Sequence, residues 1–129
     1  IPRLLDELAR VTKPEGILEL VAPHFSNPYF YSDPTHRTFF GLYTFCYYAD
    51  KSPFSRTVPT YGYNLQFDIE GVELIFKSSK KFLFRYGFKK IVQLIFNSCN
   101  YMREFHEENL CYILPSYEVE YKLIRKKLS

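Results

Sequence analysis

The chain has 129 residues, 47% hydrophobic and 19% aromatic, with a formal net charge of +3. That suffices for one domain with a real core. It is too apolar for a disordered segment and too weakly basic for a nucleic-acid binder, which carries a stronger, clustered excess of Lys and Arg.

Three widely spaced cysteines, Cys46, Cys99 and Cys111, show neither metal-ligand spacing nor a disulfide framework. A reducing, cytoplasmic setting is the default expectation. No run of about 18 apolar residues and no secretory signal is visible. The chain opens at Ile1 and passes almost at once into a helix, which reads as a piece cut from something longer.

Pro2 to Lys13 reads as a helix. Leu4, Leu5, Leu8 and Val11 share one face, and Pro2 suits a first helical position. Pro14 stops it, and Gly16 is expected to supply a permissive turn. Ile17 to Ala22 is short, apolar and β-rich, as in a strand covered on both faces, with Glu19 the exception. Open α/β sheets place ligands beyond the carboxyl ends of such strands. Pro23 to Ser32 is loop. Asp33-Pro34-Thr35 reads as a helix start with Asp33 as N-cap. A short aromatic helix is predicted over Leu42 to Ala49. Lys51 to Tyr63 is a long irregular segment of the kind that serves as a lid or binding loop.

Leu65, Phe67 and Ile69 alternate with polar residues, then Val72, Leu74 and Phe76 do so one residue out of phase. The slip at Glu70-Gly71 implies a bulge or tight turn. Ser79 to Asn97 is predicted helical, with a stripe of Lys81, Arg85 and Lys89, although Gly87 weakens the pattern. A second helix is predicted over Tyr101 to Ile113, ended by Pro115. Glu118 to Leu123 alternates as a half-exposed strand, and Arg125 to Lys127 reads as a solvated tail.

Helix, turn and buried strand in this succession indicate an α/β protein. The stretch L-L-D-E-L-A-R-V-T-K-P-E-G-I-L-E-L, Leu4 to Leu20, resembles the "E-x-x-R-V-L-K-P-G-G-x-L-x-I" joint leading into the fifth strand of class I S-adenosylmethionine-dependent methyltransferases. S-D-P-T-H-R-T-F-F, Ser32 to Phe40, resembles a D-P-T-H-x-x-F-F insert in one branch of these enzymes. The closing stretch Leu110 to Leu123 is similar to that branch's ending. Thr12 stands where the family usually has Leu, and Glu15 where it usually has Gly. Nothing matches the family's glycine-rich cofactor loop or its ribose-holding acidic residue.

The resemblance therefore implies a partial Rossmann-like methyltransferase sheet. Residues 1–129 would form a single domain, the C-terminal part of a longer enzyme. It would hold a helix, a central strand, an aromatic insert, and then a largely antiparallel strand pair with intervening helices. S-adenosylmethionine would be bound mainly by the missing N-terminal half, with no cofactor-binding residue in this chain and little activity expected of it alone.

Methyl transfer needs acceptor and methyl held close and, for a hydroxyl or amine acceptor, a base. His24, two residues past the first strand, and His36, with Asp33 to orient it, are the candidate bases. The competing readings are a loop histidine bonded to backbone and a first-turn packing residue. Phe25, Asp33 and Tyr61 are the candidate acceptor-binding residues. No metal is expected, because His24, Asp33, His36 and His106 follow no known ligand spacing. The cationic run Lys77 to Lys90 reads as a solvated helix face in preference to a membrane or phosphate contact. The expected partners are a small-molecule acceptor and either a second copy or the missing N-terminal half. No nucleic acid and no membrane are expected. The alternative is a non-catalytic interaction domain pairing through an exposed strand edge.

Overall fold

The computed structural model describes residues 1–127. Helix α1 spans Pro2–Val11, β1 Ile17–Pro23, β2 Phe67–Ile75, α2 Leu83–Phe96, α3 Asn100–Phe105 and β3 Glu118–Arg125. The protein is mixed α/β with one three-stranded antiparallel sheet in the order β1-β3-β2. The last strand in sequence is thus the middle one. The expectation of a central, doubly covered β1 is corrected: β1 lies on an edge. Ile17 and Val21 are 58% and 55% exposed, on the same face as exposed Glu19. Apolar residues on both faces mark burial only where a layer lies on each side, and no described residue covers this one.

In β2 the buried positions are Phe67, then Val72 and Leu74. The inward phase slips by one near Gly71, as the sequence pattern requires. In β3, Val119, Tyr121 and Leu123 are buried, also as the alternation predicts.

The described chain divides into two compact units, and every strand contributes residues to both. The first comprises Ile1–Leu20, Tyr43–Val72 and the residues from Tyr121 on. Leu5 and Ala9 of α1 are buried one helical turn apart. The turn into β1 has its left-handed residue at Glu15, with φ 61°, and not at Gly16 as expected. Gly16 serves a different need. A Cβ there would lie 2.8 Å from the Lys13 carbonyl oxygen and 2.8 Å from the Thr12 methyl.

Phe45, Phe54, Val58, Leu65 and Phe67 fill the core of this unit, and the Phe45 ring meets Tyr121 edge-on at 4.6 Å. The aromatic helix predicted over Leu42 to Ala49 shrinks to a 3-10 turn, Thr44–Tyr47. The rings of Tyr43, Phe45, Tyr47 and Tyr48 meet those of Phe54, Tyr121, Tyr61 and Tyr63. Arg125 is no solvated tail. Its guanidinium donates to the carbonyls of Ala9 (3.2 Å) and Gln66 (2.9 Å).

The second unit comprises Val21–Leu42 and Glu73–Glu120. Helix α2 buries Val92 and Phe96. Its C-terminal side chains finish the open edge of β2. Asn97 accepts from Leu74 N–H (2.9 Å) and donates to Leu74 C=O (2.6 Å), and Gln93 accepts from Phe76 N–H (3.0 Å). Side-chain amides thus stand in for a fourth strand. The helix predicted to Ile113 stops at Phe105 and widens into a π turn, His106–Leu110. There the buried His106 donates from Nε2 to the Leu114 carbonyl at 2.6 Å, between the rings of Phe76 and Phe96.

Candidate functional site at the carboxyl end of the first strand

β1 ends at Pro23, and the next residues are clamped on two sides. His24 N–H donates to Tyr117 C=O (3.1 Å), and Phe25 N–H donates to Phe40 C=O (2.9 Å). The His24 side chain is fully buried. Ser26 N–H donates to its Nδ1 at 3.1 Å, and the Ser26 hydroxyl lies 2.8 Å from the same atom. Nδ1 is therefore the acceptor, and the assigned tautomer carries its proton on Nε2. That proton is donated to Glu107 Oε2 at 3.0 Å. The same carboxylate oxygen accepts Leu42 N–H at 2.8 Å, and Ser26 Oγ accepts Ser116 N–H at 3.1 Å.

This knot joins distant segments of the second unit in a fully partnered polar cluster. Gly41 lets the chain pass beside it, since a Cβ there would lie 2.9 Å from the Phe25 ring and 3.1 Å from Glu107 Oε1. Asn27 extends the clamp by accepting Tyr29 N–H (2.9 Å) and donating to Tyr117 C=O (3.0 Å).

Outside the knot the insert turns back on itself. Asp33 starts no helix, which corrects the expectation. Its Oδ1 instead accepts the Thr35 amide (2.9 Å) and hydroxyl (2.7 Å), closing an Asx turn. The Thr35 hydroxyl, then its amide, hold the Asp33 carboxyl below the usual carboxylate value. His36 stacks on Phe30 at 4.9 Å and donates from Nδ1 to the Phe30 carbonyl (3.3 Å). Its Nε2 lies 3.6 Å from Asp33 Oδ2.

Beyond the carboxyl ends of β1 and β2, Tyr29, Tyr117, Phe82, Lys77, Arg85 and the serines 78 and 79 line a groove of about 420 Å³. Lys77 pairs with Glu118 at 2.8 Å and lies over the Tyr117 ring. The groove offers aromatic walls, two hydroxyls and a guanidinium.

The structure brings His24 and Phe25 together, ring centroids 4.3 Å apart, and sets His36 beside Asp33. Tyr61 belongs to the first unit, where it is exposed and stacks on Tyr47 at 5.5 Å. Both His24 nitrogens are occupied inside the unit, whereas His36 keeps access to solvent. Sequence reasoning missed Glu107, Ser26 and Ser116. Glu107 lies 83 residues from His24, and nothing local distinguishes it from Glu104 or Glu108.

Among the described residues, no group of three or more His, Cys, Asp and Glu could hold a metal ion, and no helix is long and apolar enough to cross a membrane. The chain's five glycines stand singly, so they form no glycine-rich cofactor loop. Compared with known proteins, the chain matches no family model, no curated protein and no solved structure.

Proposed function

We propose that this chain is the acceptor-side, C-terminal portion of an S-adenosylmethionine-dependent methyltransferase acting on a hydroxyl or amine of a small molecule. The observation that carries this reading is the joint before β1. The motif it resembles has two glycines after Lys-Pro, where this chain has Glu15 and Gly16. The backbone is left-handed at Glu15, the conformation that glycine adopts without strain. At Gly16 no Cβ fits. The backbone at Glu15 and the close packing at Gly16 are thus what a Gly-Gly pair would suit, which supports the likeness to that motif. The antiparallel β2–β3 pair and the uncovered, apolar edge strand β1 agree with a sheet continued by other residues.

In this reading the cofactor is bound mainly by the N-terminal half that the resemblance implies. The chain's own part is to hold the acceptor at the carboxyl edge, in the groove between Tyr29, Tyr117 and Arg85. His36, accessible and set beside Asp33 and Phe30, is the proposed base. It lies outside the residues that line the groove, so the acceptor's hydroxyl or amine has to reach from the groove to it. Buried His24 is a positioning residue that braces the loop. Isothermal titration with S-adenosylhomocysteine tests the reading, using this chain and a longer protein containing it. Binding by the longer protein alone is expected, and its failure to bind removes the proposal.

The unpaired edge of β1 favours one second reading, a non-catalytic domain that pairs strand to strand. Light scattering decides it, because a monomer at high concentration argues against such pairing.

A further inference from the structure

We propose that α2 and the residues just before it form a docking face for an anionic lipid bilayer. Phe84, Phe88, Ile91 and Ile95 recur at i, i+4, i+7 and i+11 and are all exposed, Phe84 by 89%. Leu83 and Leu94 flank them at 77% and 76%. The helix meanwhile buries Val92 and Phe96 on its other side. It is therefore seated in its unit and still turns a row of large apolar side chains outward. Such a continuous row is uncommon on a surface that meets only water.

Charge selects the occupant. From Lys77 to Cys99 the sequence holds Lys77, Lys80, Lys81, Arg85, Lys89 and Lys90 and no Asp or Glu. Lys80, Lys81, Arg85 and Lys90 form no ion pair among the described residues. Arg85 lies over the Phe82 ring at 4.8 Å and Lys90 over Tyr86 at 5.3 Å, so their stems lie along aromatic surface. Protein interfaces exclude lysine from their apolar centres, whereas the boundary of an anionic bilayer takes aromatic, aliphatic and cationic groups together. Fourteen residues make a rod about 21 Å long. That is too short to cross the bilayer and suited to lying in its surface. The expected solvated face fits Lys80, Lys81, Arg85 and Lys90, which are exposed, but not half-buried Lys89, and it leaves the apolar residues between them unexplained. The inference does not depend on the methyl-transfer reading.

The test is co-sedimentation of the chain with vesicles of phosphatidylcholine plus phosphatidylserine, and of phosphatidylcholine alone, at low and high salt. Binding is expected only to the anionic vesicles and is weakened by salt. It should fall about tenfold for Phe84→Asp and about fivefold per charge for Lys80→Glu and Lys81→Glu. Phe84→Asp should leave thermal unfolding unchanged, because that ring is exposed. No binding at low salt, or binding indifferent to Phe84→Asp, overturns the proposal. So does self-association that Phe84→Asp abolishes, which makes a second copy the occupant. Loss of vesicle binding in a longer protein containing this chain overturns it too, because another segment then covers the face.

Discussion

Glu107→Ala is the sharpest test of the knot beneath the rim. The wild-type carboxylate oxygen accepts two buried protons, from His24 Nε2 at 3.0 Å and Leu42 N at 2.8 Å. Alanine strands both donors. Each buried donor without a partner costs about 1–3 kcal/mol, so the pair costs about 2–6. The Glu107 side chain retains 11% exposure, so water reaches part of the hole and the lower range, about 2–4 kcal/mol, is expected. For a chain of this length that lowers the unfolding midpoint by roughly 6–24 °C. Glu107→Gln can set its carbonyl oxygen where Oε2 lies and accept both donors, so it should cost only the difference between a charged and a neutral acceptor, about 1–2 kcal/mol. Exposed Glu108→Ala should stay within about 0.5 kcal/mol of wild type. Thermal and urea unfolding followed by circular dichroism compare the three. If Glu107→Ala is as mild as Glu108→Ala, the knot does not hold the rim.

Glu15→Gly should stabilise the chain by about 0.5–1 kcal/mol. Relief of the left-handed backbone exceeds the extra freedom that glycine brings to the unfolded state, and the exposed Lys127 contact that is lost counts for little. An unchanged or lowered urea midpoint refutes this. His106 should make stability fall in mild acid. Burial is the main cause that pushes its pKa below the ordinary histidine value, opposed by the Leu114 hydrogen bond, with smaller opposing effects from Glu107, which raises it, and Lys89, which lowers it. A proton added at Nδ1 would find no acceptor there. The unfolded chain protonates this residue near pH 6.5. The stability held by neutral His106 is therefore whole above about pH 6.5 and drains as pH falls toward the depressed folded value. His106→Gln should flatten that slope, and identical slopes refute the assignment.

Local chemistry was legible wherever one element decides its own state. Pro14 and the apolar run after it set the end of α1 and the start of β1. The alternation of Val119, Tyr121 and Leu123 marks β3, and the slip in phase near Gly71 shows in the residue pattern alone. Asp33-Pro34-Thr35 misled because an aspartate suits an Asx turn as well as a helix cap, and only the Thr35 contacts choose between them. The aromatic run at Leu42 to Ala49 misleads because apolar, aromatic composition does not separate a helix from the short 3-10 turn, Thr44–Tyr47, that forms there.

Periodicity and turn residues settle which segments are helix or strand, since those forces act over a few residues. Which strand is central, which apolar face goes uncovered and which acid meets His24 depend on contacts made across most of the chain. Val21 and Val119 look alike as letters, but one lies on an open edge and the other in the middle of the sheet. Glu107 becomes the partner of His24 only when the π turn after α3 carries it to the end of β1, and no local pattern encodes that approach.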